Sequence, residues 1–182
     1  MAKRKTHNKD GATEAAILQA AKDAFIERGF AGARMQEIAD KAGINKALLH
    51  YYFRSKDKLF QRILQGVLDT TTPVMFNALG SDKPIMERLE ILVHDFLEVL
   101  CANPHYPMFI MHELSRYQEE FVKRLTGDPR KAAAILHFFA SVEKEVAAGK
   151  LRPIQPAHLM LNITSLIVFP FVTWPMLKNT VG

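Results

Sequence analysis

The residues best suited to chemistry in this chain stand together between positions 45 and 52. Lys46 and His50 can offer charge or hydrogen bonds, Ala47 is small enough for close approach, and Tyr51 carries a hydroxyl. Their spacing of one, four and five residues places all four on one face of a helix. A lysine can contact a base edge or a phosphate, and an alanine can meet a thymine methyl group. The pattern predicts a surface that fits the major groove of DNA.

Two short helices around a tight turn would hold these residues in place. Gly43 can end the first helix because glycine adopts left-handed backbone without penalty, and Asn45 can cap the second through its side-chain oxygen. Apolar residues such as Ile38 and Leu49 give each helix a buried side. Residues 35–53 therefore read as a helix-turn-helix. The alternative is an ordinary αα-corner whose outer polar residues are simply solvated.

The flanking residues decide between these interpretations. They form an ordered set from Thr13 to Phe60 that contains Ile17, Ala21, Phe25, Gly29-Phe30, Ile38-Ala39, Ala42-Gly43-Ile44, Leu49, Tyr51, Phe53 and Ser55-Lys56-Asp57-Lys58-Leu59. This set resembles the DNA-binding domain of the tetracycline-repressor (TetR) family of bacterial transcription regulators. The resemblance implies a repressor released by a small apolar or amphipathic effector, with a fourth helix that joins this domain to a regulatory domain. It also implies a palindromic double-stranded operator and a homodimer formed by C-terminal helices.

The resemblance and the side-chain chemistry together assign the DNA contacts. Gln36 could read adenine with its two amide groups, and lysines at the start of the fourth helix should bind phosphate near a helix N-terminus. Departures from the family at Leu48 and His50 concern the operator sequence, and His50 could equally be a plain surface residue. The predicted DNA-binding residues are Arg34, Gln36, Asn45, Lys46, Ala47, His50, Tyr51, Tyr52, Lys56 and Lys58.

The positive charge of the chain is concentrated at its N-terminal end. Residues 1–60 hold 12 Lys and Arg against 7 Asp and Glu, a balance of +5, whereas residues 61–182 hold 12 against 12. This asymmetry is typical of a domain that meets a phosphate backbone. The first residues, with Lys3, Arg4, Lys5 and Lys9, lack the apolar run of a signal peptide. They could be a solubilising tail or an arm that follows DNA.

The rest of the chain predicts an all-α fold, with helices broken by proline and glycine and no β-alternation. The predicted divisions are a basic arm over 1–12, a three-helix helix-turn-helix domain over 13–58, and a helical-bundle ligand-binding and dimerisation domain over 59–182. The apolar stretch 159–177 approaches the length of a membrane span. Polar residues and prolines interrupt it, so a helix that packs on its own core and on a second subunit is preferred. We therefore expect a cytoplasmic protein without a membrane partner.

A ligand pocket in the second domain is expected to be apolar and adaptable, because methionine and aromatic residues are plentiful there. Each such residue could instead belong to the ordinary core. No metal or cofactor is expected, since no histidine pair has zinc-site spacing. No nucleophile–base pair favours an enzyme, and a helical adaptor that has lost DNA binding is the other alternative. The candidate ligand-binding residues are Phe96, Tyr106, Met108, Met111, His112, Phe138 and Asn162.

Overall fold

The computed structural model describes the backbone of residues 2–181 and the side chains of residues 10–174, 176 and 178. Within that range the chain is helical and contains no strand, which confirms the all-α fold class. The helices are α1 (Ala2–Gly32), α2 (Met35–Lys41), α3 (Lys46–Tyr52), α4 (Lys56–Leu79), α5 (Ile85–Ala102), α6 (Tyr106–Arg116), α7 (Gln118–Thr126), α8 (Pro129–Ala147) and α9 (Pro156–Val181).

The chain forms two compact units, Met1–Gly66 and Val67–Gly182, and the boundary falls inside α4. The predicted division after residue 58 stays a prediction. In the first unit, α2 packs on both α1 and α3. Ile17 and Phe25 of α1 are fully buried, and the Phe25 ring lies 5.5 Å from the Phe60 ring in an edge-to-face arrangement. Such aromatic pairs add to the stabilisation that burial alone gives.

Helix α1 begins at Ala2 and contains no proline, the residue that breaks a helix most strongly. Gly29 then interrupts the helix, with φ of 66° and ψ of 174°. The side chains of the predicted basic arm, Lys3, Arg4, Lys5 and Lys9, lie outside the described residues.

The second unit contains the C-terminal part of α4 and the helices α5 to α9. One core cluster centres on Phe76, Leu79, Leu92 and Phe138, and a smaller one joins α5 to α9 through residues such as Phe96. The chain changes direction between α6 and α7 with no intervening loop beyond Tyr117. The backbone of Tyr117 leaves the helical region there, at φ of −138° and ψ of 55°.

Arg88 connects three helices inside this unit. Its side chain is 2% exposed and donates hydrogen bonds to the carbonyls of Ala78 and Leu79 at the end of α4, and to the Ser141 hydroxyl of α8. The last carbonyls of a helix have no partner within the helix. Arg88 supplies one, and thereby holds the end of α4.

Helix α9 carries apolar side chains on its outer side. Leu166 is 76% exposed, and Leu161, Phe169 and Trp174 are each more than 60% exposed. Among the described residues, the stretch Pro156–Trp174 alone is long and apolar enough to cross a membrane, by length and composition only. An apolar surface of this kind marks an interaction site in a folded protein.

Candidate DNA-binding surface and ligand cavity

The turn between α2 and α3 is fixed by its own backbone. Gly43 has φ of 69°, and the Ile44 amide donates to the Ala39 carbonyl at 3.0 Å, which is the pattern that closes a helix at a left-handed residue. The Asn45 side chain then accepts a hydrogen bond of 2.8 Å from the Leu48 amide and caps α3. The turn and the cap that the sequence indicated are both present.

Most of the predicted DNA-binding residues share an exposed surface. Leu49 is fully buried, so the opposite side of α3 faces solvent, and Tyr51 is 81% exposed there. Gln36 is exposed, and its amide donates to Asp40 of the same helix at 2.8 Å. The predicted residues that are exposed are Arg34, Gln36, Asn45, Lys46, Ala47, His50, Tyr51 and Lys58.

Lys56 and Tyr52 are half-buried and engaged within the protein. The Lys56 ammonium donates to the carbonyls of Ala33 at 3.0 Å and Ala31 at 3.3 Å. It also lies 4.7 Å from the centre of the Phe30 ring. Lys56 therefore holds the start of α4 against the segment that joins α1 to α2, which sequence spacing could not show.

The Tyr52 hydroxyl donates to the Asp10 carboxylate at 3.2 Å. Partial burial, and after it this hydrogen bond, raise the pKa of Tyr52 above its usual value. Asp10 is thus the hydrogen-bond partner of Tyr52 in the protein without DNA. A DNA phosphate that accepted a hydrogen bond from the Tyr52 hydroxyl would have to displace the Asp10 carboxylate.

Arg54 belongs to the exposed surface although the sequence analysis did not select it. Arg54 is exposed and lies two residues after the end of α3. Nδ1 of the His50 ring lies 3.3 Å from the Arg54 carbonyl oxygen. Because a carbonyl only accepts, this contact places a proton on Nδ1 of His50. The basic run from Arg54 to Lys58 was the signal that could have identified Arg54.

Ion pairs divide the cations of the first unit into two groups. Arg28 pairs with Glu37 at 2.7 Å and Lys41 with Glu27 at 3.0 Å, and Glu27 is the main cause of a raised Lys41 pKa. A third pair joins Arg62 to Glu14. Among the described residues of the first unit, Arg34, Lys46, Arg54 and Lys58 are the cations whose side chains make neither an ion pair nor a hydrogen bond. These four cations lie just before α2, in α3, just after α3 and in the first turn of α4.

The second unit contains a cavity of about 410 Å³, within the range of small-molecule sites. Its walls come from α4 to α9 and are almost wholly apolar. They are formed by Leu68, Thr71, Thr72, Met75, Phe76, Leu79, Phe96, Leu100, Pro107, Ile110, Met111, Phe121, Val122, Leu125, Thr126, Ile135, Met160, Leu161, Thr164 and Val168.

Comparison with known proteins identifies the family. Residues 17–63 match the model described as bacterial regulatory proteins, tetR family. Over 152 residues the chain is 34% identical to the HTH-type transcriptional regulator RutR of Escherichia coli K12, spanning 84% of this chain and 70% of that protein. The chain belongs to the TetR family. It is a DNA-binding transcriptional regulator, and neither its family nor these relatives are enzymes.

Other TetR-family proteins extend the comparison. The HTH-type transcriptional repressor KstR2 of Mycobacterium tuberculosis H37Rv is 30% identical over 114 residues, which is 63% of this chain and 53% of KstR2. The crystal structure of AibR with isovaleryl coenzyme A and operator DNA shares the fold, with a TM-score of 0.69 and 21% identity over 87% of this chain and 85% of AibR. Regulators of this family are soluble cytoplasmic proteins that bind operator DNA and small-molecule effectors, and dimers are typical.

The cavity of this TetR-family regulator includes Phe96 and Met111 from the predicted ligand-binding set. Tyr106 packs against the Phe96 cluster and Phe138 belongs to the larger core cluster, whereas Asn162 is exposed. The lining likewise does not include Met108 or His112. Helix rotation explains this outcome, since residues a few positions apart point to different sides of one helix.

A metal site was not expected from the sequence. In the part of the chain that the structure describes, His94, Asp95 and Glu98 of α5 form the single group of three potential metal ligands close to one another. His94 Nδ1 lies 3.0 Å from the Asp95 carboxylate. Exposed acidic groups of this kind are common without an ion.

Proposed function

We propose that this regulator is a repressor that binds a palindromic operator as a homodimer and leaves it when a small apolar or amphipathic effector fills the cavity. The observation that carries the DNA-binding assignment is the exposed side of α3, where Lys46 stands among cations that have no carboxylate partner. Phosphate contacts made by such cations supply most of the affinity of DNA-binding proteins.

Five of the exposed residues contact DNA in this proposal. Lys46 contacts a base or phosphate, and Ala47 lets the backbone approach a thymine methyl group. Gln36 reads a base after giving up its hydrogen bond to Asp40. Arg34 and Lys58, from neighbouring elements, bind phosphates. Base contacts specify the operator, whereas the phosphate contacts set the register of the protein on it.

The remaining predicted residues hold this surface in position. Asn45 is committed to capping α3, and Lys56 to the carbonyls ahead of α2. His50 anchors the end of α3 through the Arg54 carbonyl. We propose Arg54 as an additional phosphate ligand, since it is exposed and has no ion-pair partner among the described residues.

The proposed dimer uses α8 and α9. Leu136 of α8 is 66% exposed, and Leu166 and Phe169 of α9 are 76% and 64% exposed. Helices α8 and α9 pack against each other, so these residues belong to one pair of neighbouring helices. A second copy of the chain would cover this apolar surface and would place two α3 helices on a two-fold symmetric site.

The repressor and effector assignments draw on relatives as well as on the cavity. KstR2 is named as a repressor, and the AibR structure contains both an acyl coenzyme A and operator DNA. In this chain α4 begins in the DNA-binding unit and supplies six of the cavity residues from its C-terminal half. We propose that an effector acts on DNA binding through α4.

The test is fluorescence anisotropy with labelled DNA from upstream of the protein's own gene, a scrambled DNA of equal length and several salt concentrations. We expect a competitor-resistant complex with two subunits per palindromic site. Equal, weak binding to both DNAs would refute specific recognition of this site. No binding even at low salt would refute DNA binding and favour the adaptor alternative. Deleting the gene should raise transcription from the operator, and a fall would make the protein an activator.

Single substitutions sharpen this test. Lys46→Ala should reduce discrimination between operator and scrambled DNA by about 1–3 kcal/mol if Lys46 reads a base. Lys83→Ala is the matched control, because it removes the same charge from an exposed residue of the second unit that pairs with Glu87. Equal behaviour of the two variants and the parent protein would show that the assigned surface is wrong.

A further inference from the structure

The cavity walls contain hydroxyl groups but no charged side chain. Of the twenty lining residues, sixteen have hydrocarbon or thioether side chains, and the other four are threonines. Ligand sites usually combine apolar walls with a few polar groups that fix the orientation of the ligand. The four threonines are therefore the candidates for any polar contact within the walls.

All four threonine hydroxyls already donate their proton. Each bonds to the carbonyl four residues earlier in its own helix, at 2.9 Å for Thr71, 2.7 Å for Thr72, 2.9 Å for Thr126 and 2.8 Å for Thr164. A hydroxyl has one proton to donate. The lining side chains therefore offer a ligand no hydrogen-bond donor, and a carboxylate or phosphate inside would lose its hydration without compensation.

We propose that the effector buries an unsubstituted alkyl chain in this cavity and keeps its polar group at the opening. This inference rests on the proposed function, in which the cavity is the effector site. If a methylene takes about the volume of a water molecule, ~30 Å³, a chain of up to about fourteen carbons fits within 410 Å³. Met75, Met111 and Met160 give the walls flexible thioether side chains that can adapt to such a chain.

Three of the residues that line the cavity are also exposed to solvent, and they mark its opening. Val122 of α7 is 51% exposed, Leu161 of α9 is 61% exposed and Met111 of α6 is 48% exposed. A polar group that remains beside these residues keeps its hydration. The same protein should therefore accept alcohols, carboxylates and thioesters that share a chain, and should discriminate by chain length.

The test uses isothermal titration of the full chain with n-alkanols of six to fourteen carbons, below their aggregation concentrations. Each added methylene should tighten binding about three- to fourfold, until the cavity is full near fourteen carbons. Decanoate should bind, whereas decanedioate, which has the same length and a carboxylate at each end, should bind at least about 100-fold more weakly. Affinity that is independent of chain length, or equal for decanoate and decanedioate, would overturn the proposal.

Two variants locate the site. Val122→Trp should obstruct the opening and weaken decanol binding at least about tenfold, because an exposed position admits a large side chain without loss of folding. Lys123→Trp is the matched control on the next residue of α7, which is exposed and outside the lining, and should bind decanol like the parent protein. Equal decanol affinity in both variants would overturn the assignment of the cavity.

DNA release is measured separately, by anisotropy with the operator complex. Alkanols that bind with the expected chain-length dependence but leave the operator bound would support the alkyl site and refute the effector mechanism. A polar effector that releases the operator in a protein that binds no alkanol would refute the alkyl site and leave the effector mechanism standing. The two proposals can therefore fail independently.

Discussion

Replacing Lys56 with methionine should destabilise the protein without changing the salt dependence of DNA binding. The Lys56 ammonium lies 3.0 Å from the Ala33 carbonyl, 3.3 Å from the Ala31 carbonyl and 4.7 Å from the centre of the Phe30 ring. Hydrogen bonds from a charged donor contribute about 1.5–3 kcal/mol, and an exposed cation–π contact about 0.5–1 kcal/mol. Since the side chain is half-buried, the lower ends of both ranges apply, and the 3.3 Å contact is too long to count as a second full hydrogen bond. Their sum is about 2 kcal/mol.

This loss is measurable in a chain of this size. One kcal/mol shifts the melting temperature of a 150–250-residue protein by roughly 2–4 °C, so Lys56→Met should melt about 4–8 °C below the parent protein. Methionine keeps the length of the apolar stem, which limits the change to the ammonium group. Circular dichroism gives the melting temperature, and anisotropy over a salt series gives the slope of log Kd against log salt.

Lys58→Met is the matched variant two residues along α4. Lys58 is exposed and takes part in no ion pair among the described residues, so its melting temperature should change by less than about 1 °C. As a phosphate ligand it should lower the magnitude of the salt slope by about 0.9. The reasoning is refuted if Lys56→Met keeps its melting temperature and loses the slope instead. That result would mean that Lys56 leaves the carbonyls to bind phosphate.

Three further perturbations test other parts of the structure. Gly43→Ala should lower the free energy of unfolding, measured by chemical denaturation, by about 1–2 kcal/mol because alanine is strained in the left-handed backbone of this position. Gly66→Ala should raise the same free energy by about 0.5–1 kcal/mol, because Gly66 lies within α4 and an added methyl group there contacts no other atom. Arg88→Met leaves the Leu79 carbonyl without its donor, whereas the Ala78 carbonyl keeps the Ser81 amide, and the free energy of unfolding in urea should fall by about 1–3 kcal/mol. The raised pKa of Tyr52 means that the folded protein favours the protonated hydroxyl. The protonated hydroxyl therefore stabilises the fold below pH 10, and this contribution is lost as the pH rises through the pKa of the folded state. Ultraviolet titration of Asp10→Asn against the parent protein should show a lower Tyr52 pKa.

Local chemistry made the helix-turn-helix predictable from the sequence. Gly43 and Asn45 each act on backbone groups within a few residues, so their roles follow from residue type and position alone. Lys56 differs because its partners lie 23 and 25 residues earlier, at the end of α1. The residue type of Lys56 indicated a cation near DNA. Its hydrogen bonds to the Ala31 and Ala33 carbonyls depend on the packing of α4 against α1, which the sequence does not reveal.

The ligand cavity was less predictable for the same reason. Composition indicated an apolar site rich in methionine and phenylalanine, and Phe96 and Met111 do line it. Phe138 has the same chemistry but is buried in the core cluster with Phe76 and Leu79 and does not belong to the lining. The threonines of α4 carried no sequence signal at all, because their self-contained hydrogen bonds appear only in a folded helix.

Helix α4 is the element through which the two proposed sites can be coupled. Lys56 holds its first turn and Arg88 its last carbonyls, so neither end is free to move independently of its own unit. Between them, Pro73 removes a backbone donor from the helix beside Thr71 and Thr72, which line the cavity. In the proposed mechanism, a chain that enters the cavity would press on α4 beside Pro73, where the helix lacks one backbone donor. A bend or rotation there would be carried to the DNA-binding unit by the continuous helix, with no requirement for the effector to approach α3.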